Sequence, residues 1–122
     1  MFVKQVKDFD INSYEADVIV SDGYYEIMCY CHPLENINLG AIVTNISTLF
    51  ANDIMRIDSE EYLVRKQIGY YSYYLQGKVL ETQKPLIGIG KIAIALDKPL
   101  SKDIKQGEFI EFKVERLNCT IE

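Results

Sequence analysis

Two alternating strand patterns lie on either side of Asp22-Gly23, over residues 14–31. Alternation with a period of two residues is typical of a half-buried β-strand, and an Asp-Gly pair favours a two-residue type I′ turn between antiparallel strands. The pattern therefore predicts a β-hairpin in which Ser21 lies opposite Tyr24.

The two faces of this hairpin differ in composition. Because opposed residues of an antiparallel pair share a face, one face collects an apolar set: Tyr14, Ala16, Val18, Val20, Tyr25, Ile27, Cys29 and Cys31. The other face collects a mixed set: Glu15, Asp17, Ile19, Ser21, Tyr24, Glu26, Met28, Tyr30 and His32. We expect the first face to enter the core, and the second to be exposed unless another layer covers it.

Alternating runs rich in β-branched and aromatic residues predict further strands. These runs cover residues 41–50, 70–81, 86–96 and 108–121. Residues 1–7 alternate weakly and are either a first strand or an edge, and a turn at Asn52-Asp53 leads into residues 54–57. Gly88 and Gly90 lie inside the run over residues 86–96, where glycine allows a sharp bend or a close backbone approach. Residues 59–67 are ambiguous, because Asp58 or Ser59 favours a short helix as its N-cap while the following Tyr-Leu-Val favours a strand.

The last run changes its apolar face along its length. Ile110, Phe112 and Val114 share one parity, whereas Leu117 and Cys119 have the other. A β-bulge near residues 115–116 would bring both sets onto one face. Bulges and strand glycines are the devices that curl a sheet.

The sequence predicts a mostly β fold, because it contains five or six strands, at most one short helix and no alternation of strands with helices. The arrangement that fits these features best resembles a small, partly open antiparallel barrel of the OB type. A β-sandwich is the alternative. At 122 residues the chain has the size of a single domain, over residues 1–122.

Composition narrows the classes of function. The net charge of −5 argues against a general nucleic-acid coating role, which relies on Lys and Arg. The charge is uneven, since residues 1–61 hold 3 basic and 11 acidic side chains and residues 62–122 hold 10 and 7. Three cysteines, no apolar run long enough to span a bilayer and no signal peptide lead us to expect a cytoplasmic protein without membrane contact.

No motif indicates catalysis, a metal site or a cofactor. Cys29, Cys31 and His32 carry metal-ligating atoms, but their spacing differs from that of structural zinc sites, and alternation places the two thiols and the imidazole on opposite faces. The sequence therefore assigns no catalytic, metal-binding or cofactor-binding residue, and we expect a protein that is not an enzyme.

Two surfaces remain as binding candidates. The first is the mixed face of the hairpin, where tyrosine and methionine with acids at the rim are typical of a protein interface: Asp17, Ile19, Tyr24, Glu26, Met28 and Tyr30. The second would stack single-stranded bases on tyrosines beside lysines: Tyr70, Tyr74, Lys78 and Lys91. We therefore expect a binding module for a protein partner or a second copy of itself. Single-stranded nucleic acid is the alternative ligand, and a small-ligand barrel or enzyme is the third possibility.

Overall fold

The computed structural model describes residues 1–33 and 36–122 of the chain. Its described part consists of β-strands and loops. The strands are β1 (Phe2–Asp10), β2 (Glu15–Ser21), β3 (Glu26–Cys31), β4 (Val43–Leu49), β5 (Asn52–Ile57), β6 (Leu63–Lys66), β7 (Tyr73–Glu81), β8 (Leu86–Ile89), β9 (Ile92–Ala95), β10 (Phe109–Val114) and β11 (Arg116–Ile121).

These strands form one mixed sheet of 11 strands in the order β1-β2-β3-β11-β4-β9-β8-β7-β10-β5, with β6 paired to β7. The path does not close on itself, and the pairs β3–β11 and β4–β9 are parallel. The predicted all-β class is confirmed. Within residues 1–33 and 36–122, no helix is long and apolar enough to cross a membrane.

The outer edge of β1 is not left unpaired. The Val3 N–H donates to the Ala41 carbonyl at 2.9 Å, the Gly40 N–H donates to the Val3 carbonyl at 2.7 Å, and the Val43 N–H donates to the Met1 carbonyl at 3.0 Å. The residues that lead into β4 therefore return to β1.

The hairpin of β2 and β3 confirms the predicted faces and corrects the predicted register. The buried members of the apolar face are Ala16, Val18, Val20, Ile27, Cys29 and Cys31. Ser21 pairs with Glu26 instead of Tyr24, because the Asp22 carboxylate accepts the backbone N–H groups of Tyr24 and Tyr25 and opens the turn into a four-residue loop. A shift of two residues leaves every side chain on its original face.

The ambiguous segment 59–67 contains a strand, and the proposed short helix is wrong. Val64 of β6 pairs with Leu75 of β7, and pairing with a neighbouring strand satisfies backbone groups that a helix would bond internally. Tertiary pairing therefore outweighs the N-cap signal at Asp58 or Ser59.

The run over residues 86–96 is a tight hairpin rather than one bent strand. Ile89 pairs with Ile92 across a two-residue loop. Gly90, the first residue of that loop, has φ 59°, and a positive φ at the first position only is the pattern of a type II′ turn. A two-residue hairpin turn, predicted at Asp22-Gly23, therefore occurs at Gly90-Lys91 instead.

The run over residues 108–121 divides at Glu115, where the apolar parity changes. β10 pairs with β7 and β5, whereas β11 pairs with β4 and β3. Ile110, Phe112 and Leu117 are all completely buried. The parity change thus marks a break at which the chain passes from one set of neighbours to another.

Candidate functional site

Most of the mixed face of the hairpin is covered. Asp17 is 7% exposed and Met28 is 4% exposed, while Ile19 and Tyr30 are half-buried. Of the six residues predicted to form a protein-binding face, only Tyr24 and Glu26 are exposed. The expectation that this face is open to solvent is therefore wrong for its central part.

The tyrosine-rich segment that leads into β7, residues 70–73, covers this face. The hydroxyls of Tyr70 and Tyr71 donate to the Asp17 carboxylate at 3.0 and 2.7 Å. The Met28 N–H donates to the Tyr73 hydroxyl at 2.8 Å, and the Tyr71 ring meets Tyr30 edge to face. Burial and the hydrogen bond to Asp17 raise the pKa of Tyr71. Tyr70, one of the four residues proposed for base stacking, thus packs against the face that was proposed to bind a protein.

Removing one hydroxyl from this contact tests its strength. We expect Tyr71→Phe to lower the free energy of unfolding by about 1 kcal/mol, because the buried Asp17 carboxylate loses one donor. The matched change Tyr70→Phe should cost less, since the Tyr70 ring is 56% exposed and water can replace its hydroxyl. Urea unfolding of both variants measures the difference, and an equal or larger loss for Tyr70→Phe would contradict the assignment.

The four residues proposed for base stacking do not form one surface. Tyr74 and Lys78 lie on β7, Tyr70 lies in the loop before it, and Lys91 lies in the turn between β8 and β9. The Tyr74 hydroxyl donates to the Glu111 carboxylate, and the Tyr70 hydroxyl donates to Asp17. Each tyrosine therefore stands beside a carboxylate, which would repel a phosphate backbone.

A row of four aromatic rings lies at the other end of the hairpin, with Tyr24 exposed, Tyr25 and Tyr62 half-buried and Phe109 buried. Neighbouring ring centroids are 4.8 Å apart for Tyr24 and Tyr25, 5.9 Å for Tyr25 and Tyr62, and 5.4 Å for Tyr62 and Phe109. We call these residues the aromatic row. Exposure rises along it from buried Phe109 to Tyr24, which is 82% exposed.

The loop that carries Tyr24 is fixed by Asp22. One carboxylate oxygen accepts the N–H groups of Tyr24 and Tyr25 at 2.9 and 2.8 Å, and the other accepts the Lys91 N–H at 2.8 Å. Partial burial would raise the pKa of Asp22, but these backbone hydrogen bonds outweigh it and hold the pKa below its ordinary value. Gly90 allows this contact, because a Cβ there would lie 2.6 Å from the Asp22 carboxylate.

Acidic side chains border the buried end of the aromatic row. Asp58 and Glu60 line a shallow depression of about 330 Å³ together with Glu108 and Phe109. The Glu108 carboxylate lies 3.5 Å from the Arg56 guanidinium. The charged side chains that line this depression, Arg56, Asp58, Glu60 and Glu108, therefore carry a net negative charge.

The three cysteines are all free and buried. A hydrogen bond between the Cys31 and Cys119 thiols and their burial raise the pKa of Cys31, and contact with Cys29 contributes to a raised pKa of Cys119. The raised pKa values keep the thiols of Cys31 and Cys119 neutral at physiological pH. Among the residues that the structure describes, no group of three or more histidine, cysteine or carboxylate side chains is arranged to hold a metal ion.

The aromatic row was only partly visible in the sequence. Tyr24 belonged to a candidate face, but Tyr62 and Phe109 are distant in the chain and meet only through the pairing of β6, β7 and β10. Comparison with family models, with curated proteins and with solved structures finds no match for this chain. A function must therefore be argued from its own surface.

Proposed function

We propose that this protein is a non-enzymatic binding module that docks a basic protein partner on the aromatic row, with Tyr24 as the anchor. The observation that carries the proposal is that Tyr24 has a highly exposed side chain on a backbone that is held in place. Tyr24 is 82% exposed, yet its loop is held by three N–H bonds to Asp22.

An exposed tyrosine on a rigid loop is suited to binding. Tyrosine is enriched among the residues that dominate interface energies. A loop that is already ordered loses little conformational entropy when a partner binds, so more of the contact energy appears as affinity. Tyr25 and Tyr62 extend the surface behind Tyr24, and this offers a partner a continuous aromatic strip.

The charge around the row favours a basic partner. Asp58, Glu60 and Glu61 are exposed beside Tyr62, and the whole chain has a net charge of −5. Complementary charge accelerates association and selects against acidic partners. This border also disfavours nucleic acid, whose phosphates would face the same carboxylates.

We further propose that the five strands β1, β2, β3, β11 and β4 correspond to an OB-type barrel with a long insertion. In its support, β4 returns to lie beside β1, the arrangement of a Greek key, and β11 lies between β3 and β4. Residues 50–115 would then be the insertion, and the segment around Tyr70 and Tyr71 would cover the face of β2 and β3, which OB folds use for ligands. A cytoplasmic location fits the three free cysteines.

The test is an NMR titration of labelled protein with a short peptide of alternating lysine and leucine. We expect shifts of amides near residues 22–25, 60–62 and 90–91, and about a tenfold weaker affinity for Tyr24→Ala, the size expected for loss of a moderate hot spot. Ile11→Ala is the matched control, because Ile11 is also an exposed apolar residue in a hairpin loop.

Two other ligands and a concentration series without ligand separate the alternatives. The corresponding glutamate-leucine peptide should cause no shifts. Salt-sensitive shifts with a mixed-sequence single-stranded oligonucleotide would replace protein binding by nucleic-acid binding. Concentration-dependent shifts of the same amides without peptide would replace the basic partner by a second copy of the chain. Shifts confined to other residues would reject the aromatic row.

A further inference from the structure

A cleft of about 650 Å³ opens beside β3 and β11, away from the aromatic row. These strands run parallel and share one register pair, Asn118 with Tyr30. β3 ends at Cys31, whereas β11 continues along β4 to Ile121. Pro33 lacks the N–H that would continue the ladder. The two strands therefore separate beyond Tyr30, and the cleft lies where they separate.

The lining combines an apolar interior with polar groups. The apolar part contains the buried thiols of Cys31 and Cys119 and the half-buried side chains of Ile37, Ala41 and Ile121. Because both thiols are protonated, this part of the cleft carries no charge. A volume of this size and such a lining are typical of small-molecule sites.

Arg116 supplies the positive charge of the cleft and is held in a defined position. Its guanidinium carbon lies 4.3 Å from the Tyr30 ring centroid and 5.9 Å from that of Tyr71. Its Nε donates to the Asn118 side-chain oxygen at 2.8 Å. Arg116 lines the cleft, and no carboxylate of the described residues lies within ion-pair distance of its guanidinium. A planar guanidinium fixed in this way favours a carboxylate or sulfonate.

We propose that this cleft binds a small amphiphilic anion, a carboxylate or sulfonate on an apolar body. Arg116 holds the anionic group, and the apolar lining from Ala41 to Ile121 accepts the body. Glu122 also lines the cleft, and its negative charge limits the ligand to a single anionic group. The site is independent of the aromatic row, so either proposal can fail without the other.

Two dyes with the same aromatic body test the site by fluorescence. Anilinonaphthalenesulfonate carries a sulfonate, and N-phenylnaphthylamine lacks it. We expect saturable one-to-one binding of the sulfonate dye, which Arg116→Gln weakens about tenfold, as loss of a charged hydrogen bond predicts. Arg65→Gln is the matched control, because Arg65 also stacks on a tyrosine, Tyr74, but lies outside the cleft.

Further measurements keep folding defects and nonspecific dye binding apart from the site. Ala41→Phe, which fills the cleft, should abolish binding of both dyes, while Arg116→Gln should leave N-phenylnaphthylamine binding unchanged. Decanoate should displace the sulfonate dye, and decyltrimethylammonium should not. Circular dichroism confirms that each variant is folded. Absence of saturable binding, or equal loss in the two arginine variants, would overturn the proposal.

Discussion

Gly77→Ala is expected to lower the free energy of unfolding by about 3 kcal/mol, at the upper end of the usual cost of overpacking a core. A Cβ at position 77 would lie 2.6 Å from the Gly88 carbonyl oxygen and 2.7 Å from a methyl carbon of Ile87. The first of these is backbone of the paired strand β8, so the two strands would have to move apart. Thermal unfolding should show a fall in Tm of about 10 °C.

Gly88→Ala is the matched control, on the neighbouring strand of the same sheet. The nearest atoms to a Cβ there belong to the Leu80 side chain, the closest at 3.1 Å. Leu80 is partly exposed and can rotate away, so we expect a loss below about 1 kcal/mol. Equal losses at the two glycines would contradict the argument that contact with a backbone carbonyl makes position 77 special.

Asp97→Ala is expected to have a similarly large effect, about 3 kcal/mol, because several donors lose their acceptor together. One carboxylate oxygen accepts the Thr48 hydroxyl at 2.6 Å and the Ala51 N–H at 3.0 Å, and the other accepts the Phe50 N–H at 2.9 Å. Thr48 and Ala51 are buried, and Phe50 has φ 56°. The carboxylate thus holds the turn between β4 and β5 in a conformation that non-glycine residues seldom adopt.

The same contacts make stability depend on pH. Partial burial acts to raise the pKa of Asp97, but the hydrogen bonds from Thr48, Ala51 and Phe50 outweigh it and lower the pKa. A carboxyl group with a lowered pKa in the folded state stabilises the protein above its unfolded pKa, and this contribution is lost as the pH falls through the folded value. Urea unfolding between neutral pH and about pH 3 should therefore show a smaller loss of stability for Asp97→Ala than for the wild type.

Asp10→Ala provides the comparison for both experiments with Asp97. The Asp10 side chain accepts one N–H, that of exposed Asn12, and water can replace it. We expect a change within about 0.5 kcal/mol, as for most surface substitutions. A large effect at Asp10, or none at Asp97, would contradict the role assigned to the Asp97 carboxylate.

Local patterns predicted which residues enter the core better than they predicted which strands pair. The faces of β2 and β3 follow from alternation alone, because successive side chains point to opposite sides whatever the partner strand is. The register of the same hairpin does not follow from alternation. It depends on hydrogen bonds to the Asp22 carboxylate, one of them from the backbone N–H of Lys91, which is distant in sequence. The helix expected after Asp58 failed for the same reason, because β7 was available as a partner for β6.

Exposure was the least predictable property of the candidate sites. Asp17 and Met28 belong to a face with the composition of an interface, yet Tyr70, Tyr71 and Tyr73 cover them. The aromatic row and the Arg116 cleft are each assembled from residues far apart in sequence. The alternation of apolar and polar residues within one strand gives no information about contacts between such distant residues.

The sequence by itself determined the all-β class, the location of most strand-forming segments and the apolar face of the central hairpin, but it predicted five or six strands where the structure has 11. Each of these three features follows from a local period of two residues and from the restricted backbone conformations of residues such as Pro33. Only the tertiary structure decided the strand order, the covering of the hairpin face by Tyr71 and the opening between β3 and β11. These depend on which distant segments meet, and that choice is set by the packing of the whole core rather than by any local preference.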